Sequence, residues 1–479
     1  MTNDNKLVVI LHAVDTEGPL YESLEAKFER LQELYGITGI EPTAENLERL
    51  RNCEIDLHGL EKQVALTLSG HLANYNDTWD KIDAMLERIN KPAFREALPD
   101  SFGGGWVFNW HCLDHVGYDT NPRRRDMGYH NIFDHYKAAL TGRDALHWHF
   151  HPMTTYKEAH RCATSYVNSP ELYQILCRKV IEREWFPSVF RAGFQTERPD
   201  SNHFLEQWIP FDISNMAIDD PAEFDVSTDF RKGRSGDWRL APADWSVYHP
   251  SHDNYQVPGR CRRVIGRALN VLNRIASVDQ REMDKAFARA ATGEPTLVGI
   301  ASHDFRDLGT EVDFLRNLIQ QSSRRFPDVK FKYAEAVDAF RSVIWPEGKV
   351  GEALELDVIL HPNPGDDVPH IEVQTKSGKV FGPQPFLAIE TRSRRFIHDN
   401  FDFTPEGDRW YYAFHADTLP LEDVRRLGIA ANDKYGNRVV KVLALSERIP
   451  LAEEPKKHPS EPGQIVLIGG EYEAVWTAD

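Results

Sequence analysis

Three histidines stand at alternate positions in His147-Trp148-His149-Phe150-His151, and a strand with a period of two puts their rings on one face. Neutral imidazole is a common ligand for zinc and similar ions. At a rise of roughly 3.3 Å per residue, His147 and His151 stand about 13 Å apart on a straight strand, far for sharing one ion. Pro152 marks a turn just beyond. Either His147 and His151 clasp an ion across that turn, or His149 and His151 do so as near neighbours, and the spacing leaves both open. Asp15-Thr16-Glu17 adds two carboxylates two residues apart, one to bind an ion and one to take a proton from water. His303 ends the apolar run Leu297–Ser302, where an imidazole could protonate a leaving group with Asp304 or a distant carboxylate tuning it. Arg191 and Asp212 supply an orienting ion pair or an ordinary buried salt bridge.

Each of these groups has a plainer reading. A lone histidine is more often a hydrogen-bonded core residue, and Glu17 before Gly18-Pro19 could be a polar turn. Three imidazoles in five residues, opposite an acid pair, outweigh that reading together.

The elements around these residues alternate. Leu7–Leu11 reads as a strand buried on both faces, followed by helical spacing at Leu24, Phe28, Leu31 and Leu34 and again from Thr43. Further strands are expected at Trp106–Phe108, Ala145–His151, Ser188–Phe194, Pro210–Ser214, Thr296–Ser302 and Val329–Tyr333. Helices are expected at Ile132–Leu140, after Ser169-Pro170 with Ser169 as N-cap, at Val312, Leu315 and Ile319, and, beyond the Val329–Tyr333 strand, in a final helix to about Val343. Such β-α alternation argues for a parallel α/β domain, barrel or doubly wound, with the chemical residues at the C-terminal ends of its strands. After Trp345-Pro346-Glu347-Gly348 the period becomes two, at Leu354/Leu356/Val358/Leu360, Ile371/Val373, Val440/Val442 and Val466/Ile468. This predicts an antiparallel β-sandwich. Domains are therefore expected at 1–345 and 350–479, with insertions at about 52–143 and 216–260. Glu453–Gly463 reads as a surface loop.

Composition sets the outer bounds. The 479 residues exceed one ordinary core. Lys+Arg of 56 against Asp+Glu of 74 give a net charge of −18, which disfavours nucleic acid and anionic lipid as partners. No stretch reads as a membrane span or export signal, and the five cysteines form no CxxC pair. A cytoplasmic protein with reduced thiols is expected, without membrane insertion. A homo-oligomer is compatible with the sequence.

In their order along the chain, these segments resemble the polysaccharide deacetylase family. Val14-Asp15-Thr16-Glu17-Gly18-Pro19 is similar to its acid-pair motif, His147–His151 to its His-x-x-x-His metal motif, and Arg191-Ala192-Gly193-Phe194 to the motif whose arginine orients the base. Asp212-Ile213-Ser214 and Ile300-Ala301-Ser302-His303 resemble the last two motifs. The resemblance covers roughly residues 5–345. It implies a deformed β/α (TIM-like) barrel, a divalent metal ion, most simply Zn2+, and hydrolysis of an acyl group from a sugar or glycan. Asp15, Glu17, Arg191, Asp212 and His303 would be catalytic. The metal ligands would come from Asp15, Glu17, His147, His149 and His151. The acid pair departs from the family's adjacent Asp-Asp, so base and ligand are not assigned between Asp15 and Glu17. His149 has no place in the simple motif, and Asn215 stands where a tryptophan is usual. Trp106, Trp110, Trp238 and Trp245 could stack on sugar rings, although core packing is the commoner role. The absence of an export signal points to an intracellular sugar, such as a precursor in surface polysaccharide synthesis. Two rivals remain: a hydrolase of non-sugar C–N bonds on the same barrel, and an inactive carbohydrate-binding protein.

Overall fold

The structure is a computed structural model and describes residues 5–473 except 160, 221–234, 349, 363–364, 366–367, 446–465 and 469–470. Eight parallel strands come first: β1 (Leu7–Thr16), β2 (Phe108–Cys112), β3 (Ala145–Phe150), β4 (Val189–Ala192), β5 (Phe211–Asn215), β6 (Val264–Asn270), β7 (Thr296–His303) and β8 (Lys330–Tyr333). Strands β1 to β7 pair in sequence, and β7 returns to β1. They close a seven-stranded barrel. Strand β8 lies beside the first half of β1, below β2, which pairs with the second half. Alternation inside β3 shows why the barrel forms here: Trp148 and Phe150 join the core between strands and outer helices, while the histidines between them face the other way.

The expected strands recur within a few residues, with instructive shifts. Strand β2 begins at Phe108, beyond the expected Trp106, and with the helix Asn131–Ala139 it falls inside residues 52–143. That stretch is therefore only partly an insertion. Its first part does form an accessory cluster, with Leu57, Val64 and Leu68 packing on Leu31 and Leu50. Strand β6 was not expected, because Gly266 and Arg267 interrupt its apolar run and Arg263 precedes it directly. Both arginines are buried and paired, Arg263 with Glu197 and Asp212, and Arg267 with Glu282. Ser169 does not cap the helix Glu171–Arg183; Pro170 occupies the N-cap, and the Ser169 hydroxyl accepts from the Met153 amide instead.

After the helix Ala336–Ile344 come β9 (Glu355–His361), β10 (His370–Ser377), β11 (Phe386–Thr391), β12 (Phe396–Asp399), β13 (Asp402–Phe403), β14 (Arg409–Ala413), β15 (Val424–Asn432) and β16 (Arg438–Ala444). They form two antiparallel sheets, ordered β13-β14-β10-β9 and β12-β11-β15-β16. Leu356, Ile371, Val373 and Trp410 of the first share one apolar cluster with Leu387, Ile389, Leu427 and Ile429 of the second. The second sheet also packs on the helix Glu171–Arg183. A Cβ at Gly428 would sit 2.6 Å from Val180 Cγ1, so this contact requires glycine. Residues 453–463, read as a loop, lie outside the described residues. Among the described residues no helix is long and apolar enough to cross a membrane, and all five cysteines are unpaired.

Candidate functional site

Register brings the chemistry together. Asp15 on β1 lies opposite His303 on β7, and His149 on β3 lies opposite Arg191 on β4. These positions lie toward the C-terminal ends of parallel strands, where barrel side chains converge. Glu17 follows β1 and His151 follows β3 directly. The ligand atoms of Glu17, His149 and His151 all lie within 4.8 Å of one another, and all three residues are buried. His151 Nε2 is 3.0 Å from His149 Nε2 and 3.8 Å from Glu17 Oε1.

This donor set fits a metal ion. The His149 Nδ1–H donates to the Arg191 carbonyl at 2.9 Å, which in the neutral ring leaves Nε2 as a lone pair facing the cluster. Burial, with His149, His115 and Arg125 nearby, holds the His151 imidazole well below its ordinary pKa, so this ring is neutral and able to ligate. Arg125 donates to the second oxygen of Glu17 and fixes that carboxylate. Asp304 holds the loop itself, accepting the Glu17 and Gly18 amides at 3.1 and 2.8 Å. Glycine is again obligatory at 193, where a Cβ would stand 2.2 Å from His151 Cδ2. The next residue, Phe194, adopts φ 52° and places its ring edge-on to His151 at 5.5 Å. Left-handed backbone at a non-glycine residue is costly and is held by its surroundings.

Asp15 lies beside this group. Burial raises its carboxyl pKa, but Arg191, His149 and His303 together outweigh burial and hold it below its ordinary value. Arg191 Nε donates to Asp15 Oδ1 at 2.5 Å, while its Nη1 donates to the Ile213 carbonyl. His303 Nε2 is 3.8 Å from Asp15 Oδ2. Burial, then Arg306, drives the His303 pKa well down despite Asp15. These groups line a cavity of about 210 Å³ with Arg125, Phe194, Gln195, Asn270, Arg274, Phe305 and Arg306.

Not every expected residue joins it. His147 faces the same side of β3 but lies roughly 7 Å lower, two residues down the strand. Its Nε2 is 3.1 Å from Asn109 Oδ1 and 3.4 Å from Glu335 Oε1, and it lines a separate cavity. It is not a member of the donor group, so the histidine pair is adjacent and does not span a turn. Asp212 does not pair with Arg191; it accepts from Arg263 and from the Ser214 amide. Of the two carboxylates expected to tune His303, the distant one, Asp15, faces it, while the Asp304 carboxylate accepts from the Glu17 and Gly18 amides and the Tyr136 hydroxyl. Trp106, Trp110, Trp238 and Trp245 are all buried core residues. The indole N–H groups of three of them donate to His12, Gln195 and Glu282. Arg125 was missed because it sits in a connection with no periodicity, 108 residues from Glu17.

Set against protein-family models, curated proteins and solved structures, the chain matches none.

Proposed function

We propose that this chain is a metal-dependent hydrolase that removes an acyl group, above all N-acetyl, from a sugar or glycan precursor, as in surface polysaccharide synthesis. The reading rests on one observation: the Glu17, His149 and His151 donors converge beside Asp15 and His303 at the C-terminal rim of a parallel barrel. The order of these segments along the chain supports it through the polysaccharide deacetylase resemblance. With that reading, the barrel is TIM-like, the paired sheets are a sandwich and the protein works in the cytoplasm.

Glu17, His149 and His151 would hold the ion, and two imidazoles with one carboxylate suit zinc. When bound, a divalent ion supplies polarisation of an acyl oxygen and acidification of water. Asp15, kept ionised by Arg191, accepts the proton of the attacking water. His303 is neutral in the resting site, so the proton that it gives to the departing amine or alkoxide must first reach it. Asp15, 3.8 Å from its Nε2, is the adjacent source. Water adds to the acyl carbon, the C–N or C–O bond breaks, and acid and amine or alcohol leave. Arg191 and Asp304 hold the base and the loop of Glu17 in place.

The test is acetate release from a panel of N- and O-acetylated sugars and small amides, with zinc-loaded and chelator-treated protein. Zinc-dependent release from sugars is expected. Turnover of cyclic amides or formamides alone would transfer the reading to non-sugar C–N bonds. Sugar binding without release in either form would mark a binding protein.

A further inference from the structure

The molecule is acidic overall, at −18, yet its cleft is not. Among the described residues the cavity wall carries Arg125, Arg274 and Arg306, and Arg191 stands behind Asp15. Four guanidiniums thus stand around the two carboxylates, Arg191 paired with Asp15 and Arg125 with Glu17.

Two of these arginines are built in rather than solvated. Arg125 and Arg306 are 6% and 8% exposed. Arg125 gives one nitrogen to Glu17, while among the described residues its Nε and Nη1 have no hydrogen-bond partner, and neither has Arg306 Nε. Their guanidinium carbons lie 5.1 and 5.8 Å from the centre of the Phe305 ring, and the Arg306 amide bonds the His303 carbonyl at 3.1 Å. Guanidinium donors without an acceptor therefore stand close to the proposed acid, His303. Such donors are costly to bury unpaired, and the guanidinium fork matches carboxylate and phosphate oxygens. An arginine-rich cleft on an acidic molecule also favours anions.

We propose that the cleft takes an anionic substrate, a sugar bearing a carboxylate or phosphate near the acyl group it loses, with Arg306 and Arg125 as the groups that select it. This inference rests on the hydrolase reading for the identity of the reacting bond, and on the arginines alone for the charge. A neutral sugar would leave the same donors unpaired, which is how a polar site rejects an analogue.

The experiment compares an N-acetylhexosamine, its 6-phosphate and an N-acetylated sugar acid, by calorimetric binding to zinc-loaded and metal-free protein and by acetate release. At least about tenfold tighter binding of one anionic sugar over the neutral one is expected. That preference should shrink in Arg306→Gln and Arg274→Gln, and as salt rises. The phosphate and carboxylate arms identify which anion is read. Equal binding of all three overturns the inference, whether or not acetate is released. Anion preference without acetate release from any sugar sustains it and removes the deacetylase reading instead. If Arg306→Gln fails to fold, the salt dependence of the wild-type preference decides.

Discussion

The two ends of the barrel are built around different buried polar groups. At the rim, His151 Nδ1, His303 Nδ1, Arg125 Nε and Nη1, and Arg306 Nε have no hydrogen-bond partner among the described residues. Toward the other end, where the barrel meets the antiparallel sheets, Asn432 uses its whole side-chain amide: its oxygen accepts from Ser188, and its nitrogen donates to the Pro187 and Trp208 carbonyls. Glu390 there is held by Arg394, Arg425 and Arg426. The larger cavity is also at this end, about 520 Å³ and lined by His147, Glu335, Arg341 and Arg438, yet the donor group is at the other. The larger of these two cavities is therefore not the one that holds the donor group.

The largest effect that sharpens the contrast is catalytic. Asp15→Asn and His303→Ala should each lower acetate release by about 10²–10⁴-fold while the ion is retained, and His147→Ala should leave release near wild type. Loss of activity in His147→Ala as deep as in Asp15→Asn would erase the distinction between the two ends. Next in size, Asn432→Ala should cost about 2–4 kcal/mol in denaturant unfolding, since it strands three partners, with metal content unchanged.

His398 gives the junction a pH signature. Its ring stacks on Phe386 and Tyr173 at 4.3 and 4.7 Å, and its Nδ1 bonds the Leu387 carbonyl. Burial lowers its pKa from 6.5 to about 4, although Leu387 and Asp399 oppose this. The unfolded chain therefore takes up the proton first as pH falls. The stabilisation is complete above the unfolded value and is lost as pH falls from there through the folded one. Allowing for the ring's partial exposure, wild type should lose about 2–3 kcal/mol more than His398→Phe between about pH 7 and pH 4. Parallel stability curves would contradict this. The smallest effect expected is at the second oxygen of Glu17, where Arg125→Gln should weaken zinc affinity by about 10–100-fold in competition with a chelator.

Much of this was legible in the sequence where periodicity carries the signal. The apolar run of β1, the alternation of β3 and the strand that ends at His303 gave the barrel's elements, and their C-terminal ends gave Asp15, Glu17, His149, His151 and His303. What failed depends on contacts distant in the chain. Arg191 finds Asp15, 176 residues away, and not Asp212. The latter goes to Arg263, a residue whose charge also concealed β6. Period two identifies which histidines share a face but not which share a height, so His147 was counted with a group that it stands beneath. Arg125 left no local mark, because only the folded connection between β2 and β3 carries it to Glu17.

The most direct measurement is the metal content of purified, zinc-equilibrated protein by elemental analysis, for wild type, His151→Ala, Glu17→Ala and His147→Ala. One ion per chain in wild type and His147→Ala, lost in His151→Ala and Glu17→Ala, is the predicted result. No ion in wild type, or one lost in His147→Ala and kept in His151→Ala, would contradict the assignment of the centre.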